Sequence, residues 1–264
     1  MKESLVSIIT PSYNSKHHIK YCIDSVRAQT YKNWEMIIVD DFSNDHSLSF
    51  IKEYILVDCR ISLIELKSNV GAAIARNYAL EKAQGRYIAF LDSDDAWAFN
   101  KLEKQISFMV THGYPISFTA YEIINENGLS TNHFVSVVKK IGLYGYLKNT
   151  IIGFSTAVID KKLVYEEIKF LDIRIRQDAN LWISLFKNGY EAYGLNEILA
   201  KYRVHSNSIS SNKLMAATKV WILYYKIHKF GLLKSIYYFV FYTFNATKKR
   251  LISAKIPVDF PPER

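Results

Sequence analysis

Short apolar runs alternate with amphipathic stretches through the first hundred residues, and this alternation constrains the fold more than any other feature of the chain. Residues 5–10 (LVSIIT), 35–40 (EMIIVD), 61–66 (ISLIEL) and 87–92 (YIAFLD) are short and rich in β-branched or aromatic side chains, so they read as strands. Helical periodicity fills the intervals at about 19–29, 46–54 and 72–83. One strand and one helix in every roughly 25 to 30 residues predicts a parallel, doubly wound α/β sheet. In such sheets ligands bind beyond the carboxyl ends of the strands, so the residues that follow each strand carry the functional information.

Beyond a helix at 101–112 the pattern changes. Asn127-Gly128 between the apolar runs 116–124 and 129–138 signals a hairpin, and short strands follow near 156–159 and 199–204. A helix is expected over 178–187 (DANLWISLFK), and helix again from 213 to 250 with Gly231 as a break. The one low-complexity patch is 206–212 (SNSISSN).

The first strand runs into Pro11-Ser12-Tyr13-Asn14, which either caps the next helix or places a ring and an amide at the sheet edge. The second ends in Asp40-Asp41, where carboxylates can accept hydrogen bonds from a base or a ribose, or cap a helix. After the third come Asn69-Val70-Gly71-Ala72-Ala73 and then Arg76. Small residues at a helix start admit a ligand to the free N–H groups, and a guanidinium suits phosphate or a base face; the same Ala-rich stretch also suits close packing on the sheet. The fourth ends in Asp92-Ser93-Asp94-Asp95. If the chain stays extended, Asp92 and Asp94 face the same way, an arrangement of like charges that a divalent cation relieves. Mg²⁺ or Mn²⁺ on one or two carboxylates plus substrate phosphates is the expected species.

These segments, VSIITPSYN, MIIVDDFSND, SNVGAAIARNYAL and GRYIAFLDSDDAWAFNKLEKQ, resemble in order and spacing the inverting family-2 glycosyltransferases of the GT-A fold. The resemblance covers about 5–105 closely and continues more loosely through RQDANLWISLFKNGY and YRVHSNSIS to about residue 212. It implies a GT-A fold in which Pro11, Tyr13, Asp41 and Arg76 hold the uridine of a UDP-sugar, with Asp40 and Asn69 nearby. It further implies that Asp92 contacts ribose or metal, that Asp94 ligates Mn²⁺ or Mg²⁺, and that Asp95 and Trp97 line the sugar and acceptor side. Asp178 takes the place of the general base, although Gln177 stands where the family usually carries an acid. Arg203 falls where relatives close over the donor diphosphate, and His205 where some complete the metal shell. A helix start lowers the basicity of a carboxylate at Asp178, and burial beside an acceptor would raise it. Its simpler role is an N-cap.

The implied reaction is a single displacement on a UDP-hexose, glucose or galactose, that delivers a β-linked sugar to a lipid-linked saccharide, as in O-antigen or other surface polysaccharide assembly. Two rivals are an inactive nucleotide-sugar-binding module and a metal-dependent nucleotidyltransferase. An inactive module needs neither the DSDD run nor Asp178, and a nucleotidyltransferase would more often carry glycines where PSYNSKHHI has none.

Composition places the catalytic part, 1–212, in a reducing, cytoplasmic setting. Hydrophobic residues make up 49% of the 264, which excludes disorder, and Cys22 and Cys59 alone cannot build a disulfide scaffold. Within this part, 1–105 is expected to bind the nucleotide and 106–212 the acceptor. No secretory signal is expected, since Glu3 precedes only a strand-length apolar run. The formal charge of +9 is concentrated in the tail: residues 201–264 hold twelve Lys/Arg against Asp259 and Glu263. The tail's uncharged stretch, 235–247, falls short of the roughly 20 residues a spanning helix needs. Lys residues interleaved with aromatics over 213–250 suit the headgroup layer of an anionic membrane, at the inner face of the cell membrane, better than a nucleic acid. Helices packed on the catalytic part are the alternative.

Overall fold

A computed structural model describes residues 3–205 and 213–252. The Ser-rich patch at 206–212 and the end of the basic tail, 253–264, lie outside the described residues. The first half follows the β/α alternation: β1 (Val6–Ser12), α1 (Ile19–Arg27), β2 (Trp34–Asp40), α2 (Ser47–Val57), β3 (Ile61–Glu65), α3 (Ala72–Lys82) and β4 (Tyr87–Phe90). β1 lies between β2 and β4, parallel to both, and β3 extends the sheet beside β2. Alternate residues serve opposite faces, as the two-residue period of a strand requires. Ile9, Ile88 and Phe90 join the core on the α3 face, while Val6, Ile8, Tyr87 and Ala89 join the core on the α1 face.

The second half adds β5 (Ala96–Trp97), α4 (Lys101–His112), β6 (Ile116–Ile124), β7 (Ser130–Val135), β8 (Lys140–Ile141), α5 (Leu143–Lys148), β9 (Val158–Asp160), α6 (Gln177–Lys187) and β10 (Ala192–Arg203). The main sheet order is β3-β2-β1-β4-β9-β6-β10-β5, with β7 beside β6 and β8 beside β10. Because β9 is antiparallel to both β4 and β6, and β10 is parallel to β6, the strands β1 to β4, β6 and β10 all point the same way. Their carboxyl ends therefore share one edge. This is a mostly parallel central sheet flanked by helices, as expected.

Three boundaries differ from the sequence reading. β4 stops at Phe90 and the chain turns, with the Asp95 N–H donating to the Asp92 carbonyl at 3.1 Å. Asp92 and Asp94 are thus on a turn, and the extended spacing that was to align them does not apply. α6 begins at Gln177 after Arg176, a left-handed residue (φ 45°), so Asp178 lies in the first turn and Arg176 occupies the N-cap position. β10 begins at Ala192, earlier than expected, because Tyr193, Gly194 and Leu195 pair with β6 without an alternating pattern of their own.

The tail forms α7 (Lys213–Ile222), a π-helical turn at Leu223–Ile227 and α8 (Leu232–Ile252). Gly231 (φ 81°) makes the break that an L side chain would resist. Val220, Leu223, Tyr224 and Tyr238 are buried in the same core as Phe90 and Trp182, and Tyr224 Oη donates to the Leu147 carbonyl at 2.6 Å. α7, the π-helical turn and α8 are thus packed on one face of the sheet domain.

One buried group is out of keeping with its surroundings. Lys101 is fully buried, its Nζ lies 3.8 Å from the Trp97 ring centroid, and the amine has no hydrogen-bond partner among the described residues. Burial holds its pKa well below the usual lysine value, so wherever the unfolded lysine is charged the buried amine costs the fold stability. Lys101→Met, of similar length and without the charge, is therefore expected to raise the midpoint of thermal unfolding at pH 7. The gain should shrink as pH rises toward 10, where the unfolded lysine also loses its proton.

Candidate active site

The shared carboxyl edge of β1, β2 and β4 carries a cavity of about 620 Å³. Pro11 and Tyr13 from the end of β1, Asp41 after β2, Asn69 and Arg76 around the start of α3, Asp92 and Asp94 after β4, and His205 after β10 all line it. His17 and His18, which were not singled out from the sequence, complete the wall. Asp40 is buried but does not line the cavity: its Oδ2 accepts the Ser43 N–H at 2.9 Å and its Oδ1 has no partner among the described residues.

Asp41 organises the floor. Its two carboxylate oxygens accept the Val70 and Gly71 N–H groups at 2.7 and 2.8 Å, and Asn69 Nδ2 donates to its carbonyl at 3.2 Å. Gly71 takes a positive φ of 89° immediately before α3, so the loop folds onto Asp41 and leaves Ala72 and Arg76 facing the cavity. Tyr13 stands at the mouth, about half exposed.

Three carboxylates follow β4, and each has a different partner. Asp92 accepts from Arg76 Nη2 at 2.7 Å. Asp94 Oδ2 lies 3.1 Å from His205 Nε2. Asp95 is buried, its Oδ2 accepting from Ser155 Oγ at 2.5 Å and its Oδ1 from the Arg203 N–H at 2.8 Å. Burial first, and then the neighbouring carboxylates, raise the pKa of Asp94 and push that of Asp95 well above the usual range. Burial, followed by the charges of Arg203 and the neighbouring histidines, lowers His18 to about 4. His18 is therefore a neutral wall at neutral pH.

Asp95 and Trp97, expected on the sugar side, form the support beneath the turn. Trp97 is 4% exposed and donates through Nε1 to the Ser155 carbonyl at 2.7 Å. Ser155 also accepts the Asp92 N–H at 3.1 Å, so one residue fixes both ends of the DSDD turn. No sequence signal marks Ser155, which lies sixty residues from its partner Asp95. Arg203 donates to the carbonyls of Asp94, Asn125 and Glu126, and lines a neighbouring cavity of about 570 Å³ that shares His17, His18 and His205 with the first.

Arg76 reaches farthest. It is 8% exposed, lies over Phe154 and Phe170 at 4.5 and 5.5 Å, and binds Asp92 with one nitrogen and Gln177 Oε1 with the other at 2.9 Å. Gln177 precedes Asp178, so one guanidinium joins the cavity to the helix start that carries Asp178. Asp178 itself is half-buried in the first turn of α6 and is not among the residues lining either cavity.

The family model described as "Glycosyl transferase family 2" matches residues 7–166. The chain belongs to glycosyltransferase family 2. This family 2 glycosyltransferase is 47% identical over 247 residues to TuaG of Bacillus subtilis, whose name provisionally assigns it to teichuronic acid biosynthesis. The match covers 94% of this chain and 98% of that protein. It is 43% identical over 222 residues to WfgD of Escherichia coli, named as a UDP-Glc:α-D-GlcNAc-diphosphoundecaprenol β-1,3-glucosyltransferase, with 84% and 85% of the two chains covered. Among solved structures it resembles the mannosyltransferase PcManGT of Pyrobaculum calidifontis in complex with GDP-Man and Mn²⁺ (TM-score 0.68, 17% identity, 96% of this chain and 76% of that one). It also resembles TarS of S. aureus in complex with UDP-GlcNAc (TM-score 0.66, 21% identity, 86% and 69%). At these identities the two structures bear on the fold alone.

For a family 2 enzyme the donor atoms suit a hard divalent cation in part. Asp94 and His205 already converge, and Asp92 is close enough to raise the Asp94 pKa, but Arg76 holds Asp92. Among the described residues no group of three or more His, Cys, Asp or Glu is placed to hold a metal by itself. Two protein ligands suffice where substrate phosphates complete the shell. Ser155→Ala tests the support of this turn. It leaves the buried Asp95 carboxylate short of a donor, and it should lower stability by about 1–3 kcal/mol in chemical denaturation while also weakening UDP binding in calorimetry.

Proposed function

We propose that this protein is an inverting, metal-dependent hexosyltransferase that moves a hexose from a UDP-sugar to a hydroxyl of a lipid-linked saccharide, forming a β-linkage during surface-polysaccharide assembly. The observation that carries the reading is the Arg76 bridge, which ties Asp92, in the turn that also carries Asp94, to Gln177 beside Asp178. It couples a site for a nucleotide diphosphate to a carboxylate suited to act as base. The names of TuaG and WfgD supply the class of acceptor, and WfgD favours glucose as the donor sugar over galactose.

In this reading residues 1–105 serve the donor and 106–212 the acceptor. Pro11, Tyr13, Asp41, Asn69 and Arg76 receive the uridine, with Asp40 as support behind them. Asp94 and His205, with Asp92, would hold Mn²⁺ or Mg²⁺. When bound, such a cation neutralises charge gathering on the leaving diphosphate. Arg203 lines the adjoining cavity together with His205 and would close over the diphosphate from there. Asp178 takes the proton of the acceptor hydroxyl as its oxygen bonds to the anomeric carbon from the face opposite the departing UDP. Asp95 and Trp97 keep the DSDD turn in place under the sugar.

The tail, 213–250, brings the enzyme to an anionic membrane surface, at the cytoplasmic face where a polyprenyl diphosphate-linked acceptor is held. No helix among the described residues is long and apolar enough to cross a membrane.

The expected result for Asp178→Asn is a fall in kcat of about 10³-fold or more. UDP binding in the presence of Mn²⁺ should stay unchanged, since Asn fits the first turn and position 178 lines neither cavity. Turnover is followed with UDP-glucose and a GlcNAc-diphospholipid acceptor. Near wild-type transfer by this variant would remove Asp178 from the mechanism, and an α-linked product in the proton spectrum would remove the single displacement.

A further inference from the structure

The inner face of α8 is occupied by the fold. Ser235 and Tyr238 are buried, Tyr242 Oη accepts from Arg176 Nη2 at 2.7 Å, and Asn245 Nδ2 donates to the Lys148 carbonyl at 3.1 Å. Among the described residues the side chains of the opposite face make no such hydrogen bond to the fold, and only Lys148 reaches its border. Leu233, Ile236, Tyr237, Val240, Phe241 and Phe244 succeed one another at steps of three and four residues or one, which places them along a single stripe. Leu233 is 82%, Val240 57% and Phe244 66% exposed. A stable helix with apolar residues on two faces has its core on one and needs an apolar medium or partner for the other.

The charge around the stripe selects the partner. The sequence has no Asp or Glu between Glu197 and Asp259. Lys226, Lys229 and Lys234 are exposed at the amino end of α8, and Lys248, Lys249 and Arg250 fall in its last turns. Lys148 Nζ sits 4.9 Å from the Phe241 ring centroid and 5.3 Å from that of Tyr237, at the border of the stripe. A second copy of the same helix would bring like charges together. Anionic headgroups beside acyl chains match both the lysines and the apolar row.

We propose that this stripe is the surface on which the protein rests on an anionic lipid bilayer, with α8 lying in the interface plane. The proposal rests on the lipid-linked acceptor reading above and adds a face and a direction to it. Tyr242 holds Arg176, and Arg176 stands two residues before Asp178. α8 therefore lies between the bilayer and the start of α6, and a polyprenyl-borne acceptor meets the base on the side of the protein that is already at the membrane. Arg176 is half-buried, and its guanidinium lies 5.6 Å from the Tyr242 ring centroid.

Co-sedimentation of the full chain with sucrose-loaded vesicles, phosphatidylcholine alone or mixed with phosphatidylglycerol, tests the surface. The wild type should bind the anionic vesicles, bind the neutral ones about tenfold or more weakly, and release as salt rises. Leu233→Ser/Val240→Ser/Phe244→Ser should lose about tenfold or more of the binding with its thermal midpoint retained. Lys226→Gln/Lys229→Gln/Lys234→Gln should lose the preference for anionic lipid. Equal vesicle binding by the Ser variant and the wild type would overturn the proposal, as would a wild type that binds neither vesicle. A wild type that sediments as a dimer while the Ser variant is a monomer would give the stripe to a second copy. Turnover of UDP-glucose on GlcNAc-diphosphate carried by a short, water-soluble alkyl chain separates the two readings. Activity there without vesicle binding overturns the surface alone, and vesicle binding without activity overturns the transferase reading alone.

Discussion

Three carboxylates within four positions at the end of β4 repel one another, and much of the surrounding structure exists to make their proximity tolerable. Each is stabilised by a different element. α3 supplies the Arg76 guanidinium to Asp92, the end of β10 supplies His205 to Asp94 and a backbone N–H to Asp95, and the turn before β9 supplies Ser155. The solutions are unequal. Asp95 is sealed off and its pKa climbs well above the carboxylate range, whereas Asp94 stays at the cavity with one imidazole beside it. A divalent cation on substrate phosphates would relieve the charge that remains there.

The same partners shape the candidate active site. Because Arg76 uses its second nitrogen on Gln177, relieving Asp92 also positions the start of α6. Phe154 and Phe170 flank the guanidinium, so the bridge has little freedom to swing. Gln177 keeps this bridge neutral overall: one guanidinium meets one carboxylate and one amide. The position next to Asp178 then adds no second negative charge.

The parallel half of the sheet and the residues that follow its strands were readable from the sequence because both depend on local pattern. Pro11, Tyr13, Asp41, Asn69, Arg76, Asp92, Asp94 and His205 come together in one cavity because five strands, β1 to β4 and β10, end at one edge. What was not readable depends on contacts between distant segments. Ser155 meets Asp95 across sixty residues, Arg203 is turned onto three backbone carbonyls, and Trp97 is buried under the turn at 92–95. Two-residue strands such as β5 and β8 are too short to show a period. In the tail, helix and break were evident from periodicity and Gly231. The division of α8 into a packed face and an exposed one emerged only when Tyr238 and Tyr242 were seen against the core.

If crowding of the carboxylates is the reason for the site, removing Asp94, which faces the cavity without an arginine on it, must abolish cation binding without unfolding the chain. Electron paramagnetic resonance of free Mn²⁺, titrated with protein in the presence of UDP, reads this directly. The wild type should deplete the free signal and Asp94→Ala should leave it at the level of UDP alone, with both proteins showing the same thermal unfolding in the absence of metal. Equal depletion by Asp94→Ala and the wild type would contradict the assignment.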